Sequence, residues 1–258
     1  MEKKNKQRLL GRENLKSLFA NGSKPDESNF ESLINSFVNR LDDGISKTKE
    51  DGLLLVPDQE TSDKLLSFYK LIDDEYPEWS MALDINDKGK GLNFVKIDEN
   101  DSSSKFYLHK TGNVGISTMD PKTKLEVNGI LGTKSRVGTY KIGKVPADGQ
   151  WHDILEGLNG SHGFEIVAHV GKPKSGKHAL LHANALSTFG KSKNRINTTQ
   201  AHYGWFWNKM SIKWTGSTFD YGMKIRSRSN YGENQYIKYC ISTLWDNDIM
   251  QLFSEMKD

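Results

Sequence analysis

The side chains best suited to chemistry lie in the second half of the chain, and the first to weigh is Gly171-Lys172-Pro173-Lys174-Ser175-Gly176-Lys177-His178. It nearly matches the phosphate-binding loop G-x-x-x-x-G-K-[ST], and a strand-like run precedes it. Three features argue against nucleotide. His178 replaces the hydroxyl that would hold Mg²⁺, Pro173 removes an amide from the cradle, and residues 179–186 read as a strand where the motif needs a helix. A basic hairpin turn accounts for the stretch better. His178 and His182 are four apart, which suits zinc on a helix; on a strand they share a face about 13 Å apart, too far for one metal. His162, His169 and His202 add no ligand spacing. The histidines are therefore expected on a polar strand face, and neither a metal nor another cofactor is expected. Cys240 is the one cysteine, so an intramolecular disulfide and a thiolate zinc site are excluded; it is expected as a small buried residue in a strand.

A second constellation is basic and aromatic. Lys224, Arg226 and Arg228 alternate with Ile225 and Ser227, which puts three cations on one face of a strand. Tyr203, Trp205, Trp207, Trp214, Tyr221 and Tyr231 lie nearby in sequence. This combination fits a single-stranded nucleic-acid platform, sugar stacking, an acidic polysaccharide, or core tryptophans beside a solvated basic edge. The acids Asp148, Asp153, Glu156, Glu165, Asp220 and Glu233 are scattered, with no glycosidase-like pairing along the chain. Such pairs form in space, so a polysaccharide depolymerase stays among the alternatives.

These residues sit in a chain whose composition is uneven. Of 258 residues, 35% are hydrophobic and 27% charged, and the mean hydropathy is −0.67. A compact globule of this size usually carries about 45–50% apolar residues, glycine included. Either part of the chain is extended, or other copies complete the burial. From Gly138 onward there are 15 Lys and Arg against 10 Asp and Glu, with 16 of the 26 aromatics, which places a boundary near residues 130–140. Met1-Glu2-Lys3-Lys4-Asn5-Lys6 has no apolar run behind it, and no stretch approaches the ~18 apolar residues of a membrane span. Synthesis in the cytoplasm without a signal peptide, no membrane insertion, and exit by lysis or on a particle are the expectations.

Two helices open the chain. Residues 12–20 place Leu15, Leu18 and Phe19 on one face, and Asn21-Gly22 supplies a stop. A second helix is expected to start at Pro25, followed by two acids, with Phe30, Leu33, Ile34, Phe37, Val38 and Leu41 at helical spacing and Gly44 as its end. A helix pair this short cannot bury its own apolar stripe, so Phe30, Leu33, Ile34 and Phe37 are candidate docking residues. Residues 45–60 read as a connector. Residues 61–74 fit a helix capped by Thr61 or Ser62, with Leu65, Tyr69 and Ile72 on one face, or a half-buried strand; the strand is preferred because plain β alternation follows at 79–85, 92–97 and 105–109, with turns at 86–91 and 98–102. After Gly138, strands are expected at 140–145, 151–155, 164–170, 179–186, 203–207, 210–214, 219–227 and 236–244, a β-sandwich of jelly-roll type, with a short helix over 248–256.

Between the halves lies Gly112-Asn113-Val114-Gly115-Ile116-Ser117-Thr118-Met119-Asp120-Pro121, running on to Lys124-Leu125-Glu126-Val127-Asn128-Gly129. Val114 with Ile116, and Leu125 with Val127, put two apolar side chains on one face of each short run. This stretch resembles the tail-fibre modules of bacteriophages and related fibre-like proteins of phage-tail-derived contractile injection systems. Ser117 stands where glycine is commoner. Leu15-Lys16-Ser17-Leu18-Phe19, Gly22-Ser23-Lys24-Pro25, Phe30 and Leu33-Ile34-Asn35-Ser36-Phe37 also look like the leading helical segment of such proteins. The resemblance covers residues 12–130, and the later block is similar only loosely to a terminal head.

It implies a mainly β homotrimer: a helical docking segment at 1–51, an interwoven trimeric β shaft at 52–137 with Val114, Ile116, Leu125 and Val127 in its core, and a β-sandwich, jelly-roll-like head at 138–258. The expected role is structural and adhesive, not enzymatic. The N-terminal helices would dock to a baseplate or tail component. Tyr203, Trp205, Trp207, Lys224, Arg226, Arg228 and Tyr231 of the head would meet a cell-surface glycan or protein, and nucleic acid is not an expected partner. An assembly factor binding another particle component is the nearest alternative.

Overall fold

The computed structural model describes residues 10–40, 42–58, 62–71, 73–84, 91–97 and 103–255. Leu41, Thr61, Ile72, the start of the chain, most of the turn expected at 86–91 and all of that at 98–102 lie outside them. The chain divides into two compact units between Leu131 and Gly132. Among the described residues it is mainly β, in several sheets, none closed into a barrel.

The first unit begins with α1 (Arg12–Leu18) and α2 (Glu27–Ile34). Asp26, one residue after Pro25, caps α2: its carboxylate accepts from the Asn29 N–H at 3.0 Å and from Ser28 Oγ at 2.7 Å. The Ser28 hydroxyl, with that amide, lowers the Asp26 pKa. The helix stops well short of Gly44. The Ser36 hydroxyl donates to the Leu33 carbonyl and the Phe37 N–H to Ile34 O, a tighter turn that competes with the helical ladder. Phe37 and Val38 therefore leave the helix and are exposed. Phe19 and Phe30 meet edge to face at 5.4 Å, yet neither helix has a buried residue.

Residues 45–60 are more than a connector. β1 (Ile45–Thr48) and β2 (Gly52–Leu55) pair antiparallel. Asp51-Gly52 supplies the turn, with Gly52 at φ +75.

A six-stranded sheet follows in chain order: β3 (Lys64–Phe68), β4 (Trp79–Asp84), β5 (Gly91–Lys96), β6 (Ser104–His109), β7 (Val114–Ile116) and β8 (Leu125–Val127). β3 to β7 pair antiparallel; β7 and β8 pair in parallel, Val114 opposite Leu125 and Ile116 opposite Val127. The glycine-punctuated stretch at 112–129 thus makes strand pairs within its own chain. Positive φ at Ser117 (56°) and the Asn113 side chain bonding Pro121 O at 3.0 Å shape the short crossover. Gly115 is required there, since a Cβ would sit 2.1 Å from Thr118 O.

Register places two continuous apolar rows on one face of this sheet. Leu66, Met81, Phe94, Phe106, Ile116 and Val127 form the first. Leu83, Leu92, Leu108, Val114 and Leu125 form the second. None of these side chains is buried. The buried hydrophobic side chains described in this unit are Ala82 and Tyr107, both on the opposite face.

The second unit is built differently. β9 (Lys141–Pro146), β10 (His152–Leu158), β11 (Ser161–Lys172), β12 (Lys177–Thr188), β13 (Arg195–Tyr203), β14 (Met210–Gly216), β15 (Tyr221–Ser227) and β16 (Tyr236–Trp245) precede α3 (Asn247–Glu255). They form a five-stranded sheet, β13-β12-β11-β16-β9, and a three-stranded sheet, β10-β15-β14, antiparallel throughout. One core lies between them, with Phe164, Ile166, Leu181 and Ile241 from the larger sheet and Ile154, Met223 and Ile225 from the smaller. The sandwich is as expected, but its order departs from a jelly roll of paired Greek keys: β11, β12 and β13 run as a meander in one sheet.

A strand expected at 203–207 is absent there. β13 ends at Tyr203, and its polar run Asn197-Thr198-Thr199-Gln200 pairs β12 as the sheet edge. Cys240 is half-buried on the outer face of β16, a free thiol between Ile142 and Val167.

Tyr231 belongs to this core and is 1% exposed, so it cannot be the surface contact expected of it. Its hydroxyl has no hydrogen-bond partner, and burial pushes the phenol up to about 12. The unfolded chain gives up this proton near pH 10.0, so it binds fewer protons than the folded one between there and about 12. The stability tied to this group is whole below the unfolded value and lost as pH rises through the folded one. Tyr231→Phe is expected to flatten that alkaline loss and to gain up to about 1 kcal/mol at neutral pH by deleting an unpaired hydroxyl. Thermal melts of both proteins at about pH 8 and about pH 11 check it; an unchanged difference between the two pH values would contradict it.

Candidate functional site

At the end of β13 the chain turns sharply. Gly204 takes φ +86, and a Cβ there would lie 2.4 Å from the Gly176 carbonyl oxygen. The loop after β13 therefore rests on the turn at 173–176. That turn is the stretch resembling a phosphate loop. It joins β11 to β12 as a hairpin, Gly171 opposite His178 and Lys172 opposite Lys177.

Asn208, buried, frames the loop. Its Nδ2 donates to Tyr203 O at 3.1 Å, its Oδ1 accepts from Ser229 Oγ at 3.1 Å, and its N–H donates to Trp205 O at 2.8 Å. Arg228 N–H donates to Lys209 O at 2.7 Å. On this fixed backbone the rings face outward: Trp205 is 75% exposed, and Tyr203, Phe206 and Trp207 are each more than half exposed. Phe206 and Trp207 lie 4.4 Å apart between centroids. Large exposed rings held by a satisfied backbone are suited to stacking on a ligand at little entropic cost.

β14 and β15 carry a basic face away from this loop. Their register sets Ser211 opposite Arg226 and Lys213 opposite Lys224. Lys224 Nζ pairs with Asp153 Oδ2 of β10 at 3.0 Å. Arg228 Nε donates to Ser211 Oγ at 3.0 Å. Lys213 Nζ and the Arg226 guanidinium both lie over the Trp151 ring, 4.4 and 4.6 Å from its centroid. Arg226 Nε is buried without a hydrogen-bond partner.

Of the seven head residues expected to act, the structure therefore gathers Tyr203, Trp205 and Trp207 on one loop and Lys224, Arg226 and Arg228 on one strand face, with Arg228 next to the loop's exit. It removes Tyr231. Phe206, Trp151 and Lys213 join the surface unforeseen. Phe206 had a signal, lying between two tryptophans; Trp151 and Lys213 had none, because their partners are far away in sequence.

The remaining titratable groups go elsewhere. His182 Nε2 meets Glu165 Oε1 at 2.9 Å, and Arg136 pairs with the same carboxylate. His169 stacks near His178, and burial, then the charges of His178 and Lys238, lower its pKa. His152 bonds Asp148 at 2.9 Å and holds that carboxylate below its usual range.

In the first unit, Phe30, Ile34 and Phe37 are exposed and Leu33 is half-buried. Val114, Ile116, Leu125 and Val127 close the two apolar rows. Among the described residues no helix is long and apolar enough to cross a membrane. No protein-family model matches the chain, and no curated protein matches it.

Proposed function

We propose that the chain is a homotrimeric, fibre-like binding protein, in which the first unit supplies the intersubunit core and the second presents the aromatic loop to a cell-surface glycan or protein. The observation that carries it is the apolar face of the six-stranded sheet. Two rows of aliphatic and aromatic side chains cross the sheet, one from β3 to β8 and one from β4 to β8, and no described residue of their own unit buries them. A sheet this large with two described buried hydrophobic side chains needs an apolar partner. A symmetric oligomer supplies one from identical faces.

The threefold count, and the setting on a phage tail or a phage-tail-like contractile injection particle, rest on the resemblance of residues 112–129 and of the leading helices. There Phe30, Leu33, Ile34 and Phe37 dock to a particle component. The reading is of adhesion, not catalysis. Light scattering on the purified chain is expected to give three times 29.2 kDa; a stable monomer at micromolar concentration would falsify it. A glycan array run beside a pull-down against particle proteins decides what the head binds.

A further inference from the structure

We infer that the outer face of β10-β15-β14 is a binding ledge for an acidic polysaccharide, engaging its carboxylates or sulfates. The inference rests on the reading of the second unit as a glycan-binding head, and it names the class of glycan.

Three features carry it. First, the charge is one-sided. Lys224 and Arg226 stand about 7 Å apart on β15, Arg228 follows one residue past its end, and Lys213 stands across from Lys224 on β14. Asp153 neutralises Lys224 alone, and Glu156 is exposed further along β10. Among the described residues neither Lys213 nor Arg226 has a carboxylate partner.

Second, two cations share one ring. Lys213 and Arg226 both lie over Trp151, so their charges are no farther apart than the two ring distances together. The indole holds each of them, but they repel one another. An anion bound beside them would relieve that repulsion and accept charge-assisted hydrogen bonds.

Third, Arg226 Nε is buried and has no acceptor. A guanidinium fixed over an indole is pre-organised for a planar oxyanion. The ledge begins at the backbone bond between Arg228 and Lys209, where the aromatic loop ends. The aromatic loop and the basic strand thus meet in the backbone at that bond. A polymer chain has the length to occupy both.

The test uses residues 1–258 with polygalacturonate as probe and its fully methyl-esterified form as the uncharged counterpart. Wild type is expected to bind the acid and release it as NaCl rises from about 0.05 to about 0.5 M, and to bind the ester at least about tenfold more weakly. Lys213→Gln, at an exposed position outside the core, is expected to weaken acid binding several-fold. Lys213→Gln with Arg226→Gln should weaken it about tenfold or more, removing most of the difference between acid and ester. Lys144→Gln with Lys238→Gln removes the same net charge from the five-stranded sheet and should leave acid binding intact.

Equal loss in that control overturns the ledge, as does binding of acid and ester alike. Single-stranded oligothymidylate held as tightly as the acid, with the same loss in Lys213→Gln, overturns the assignment to a glycan. Light scattering on the same samples keeps the two proposals apart. A monomer that still discriminates acid from ester overturns the trimeric reading and leaves the ledge; a trimer blind to the charge does the reverse.

Discussion

Replacing Phe94 by aspartate is expected to break the proposed trimer into monomers. Phe94 lies mid-row, between Met81 and Phe106, and meets the Phe106 ring edge to face at 5.5 Å. In an assembly closed over this face, it loses its apolar surface to the partner copies. Deleting that burial costs about 1.5–3 kcal/mol per chain. Leaving an unpaired carboxylate there adds several more. Symmetry repeats the penalty in every copy, so the association constant falls by many orders of magnitude. Asn93→Asp, one residue away on the opposite face, is the control, and it should leave the mass unchanged. Light scattering at micromolar concentration reads both. The head should keep its near-ultraviolet signal in either variant, because Phe164, Ile166, Met223 and Ile225 pack in a core of their own. A full-mass trimer from Phe94→Asp would place the contact between copies elsewhere.

What could be read from residues alone follows from where burial is local. β4, β5 and β6 alternate because one face is apolar, and alternation survives whether a partner is a neighbouring strand or another copy. For the same reason Val114, Ile116, Leu125 and Val127 were legible as one face, while the source of their hydrogen bonds was not: nothing in period two says whether the next strand belongs to the same chain. β13 escaped notice because an edge strand with Asn197, Thr198, Thr199 and Gln200 has no apolar phase to detect. The aromatics just beyond it carry the strand-like signal in its place. α2 is shorter than its spacing predicts, since Phe37 and Val38 keep the helical spacing and only the Ser36 hydroxyl on Leu33 O shows where the backbone departs. Tyr231 illustrates the converse for the site. Its neighbours in sequence are polar, but its ring faces the core through the bond from its N–H to Ala147 O. The ledge depends on Trp151 meeting residues more than sixty positions away, a contact that only the sheet register reveals.

Trp205→Ala with Trp207→Ala is expected to abolish retention on a glycan surface while leaving fold and assembly untouched. Both rings are largely exposed, and the loop is held by Asn208, Gly204 and the Lys209–Arg228 bond, none of which involves the indoles. Removing a tryptophan that anchors a contact costs about 2 kcal/mol or more, which is about 30-fold at a single site. The effect on a trimer is larger. A second linked site adds affinity only while its own dissociation constant stays below the effective concentration set by the tether, of order millimolar for short linkers. Sugar sites start weak, so a 30-fold loss carries each of them past that limit, and the three cease to act together. The apparent affinity should fall by about 10²–10⁴, chiefly through faster dissociation. Phe206→Ala alone, which removes the ring packed against Trp207, should give an intermediate loss. An array and a biosensor surface carrying its strongest hit, read for wild type and variant side by side, measure this. Dissociation as slow as wild type would show that the adhesive contact lies off this loop, whatever the state of the trimer.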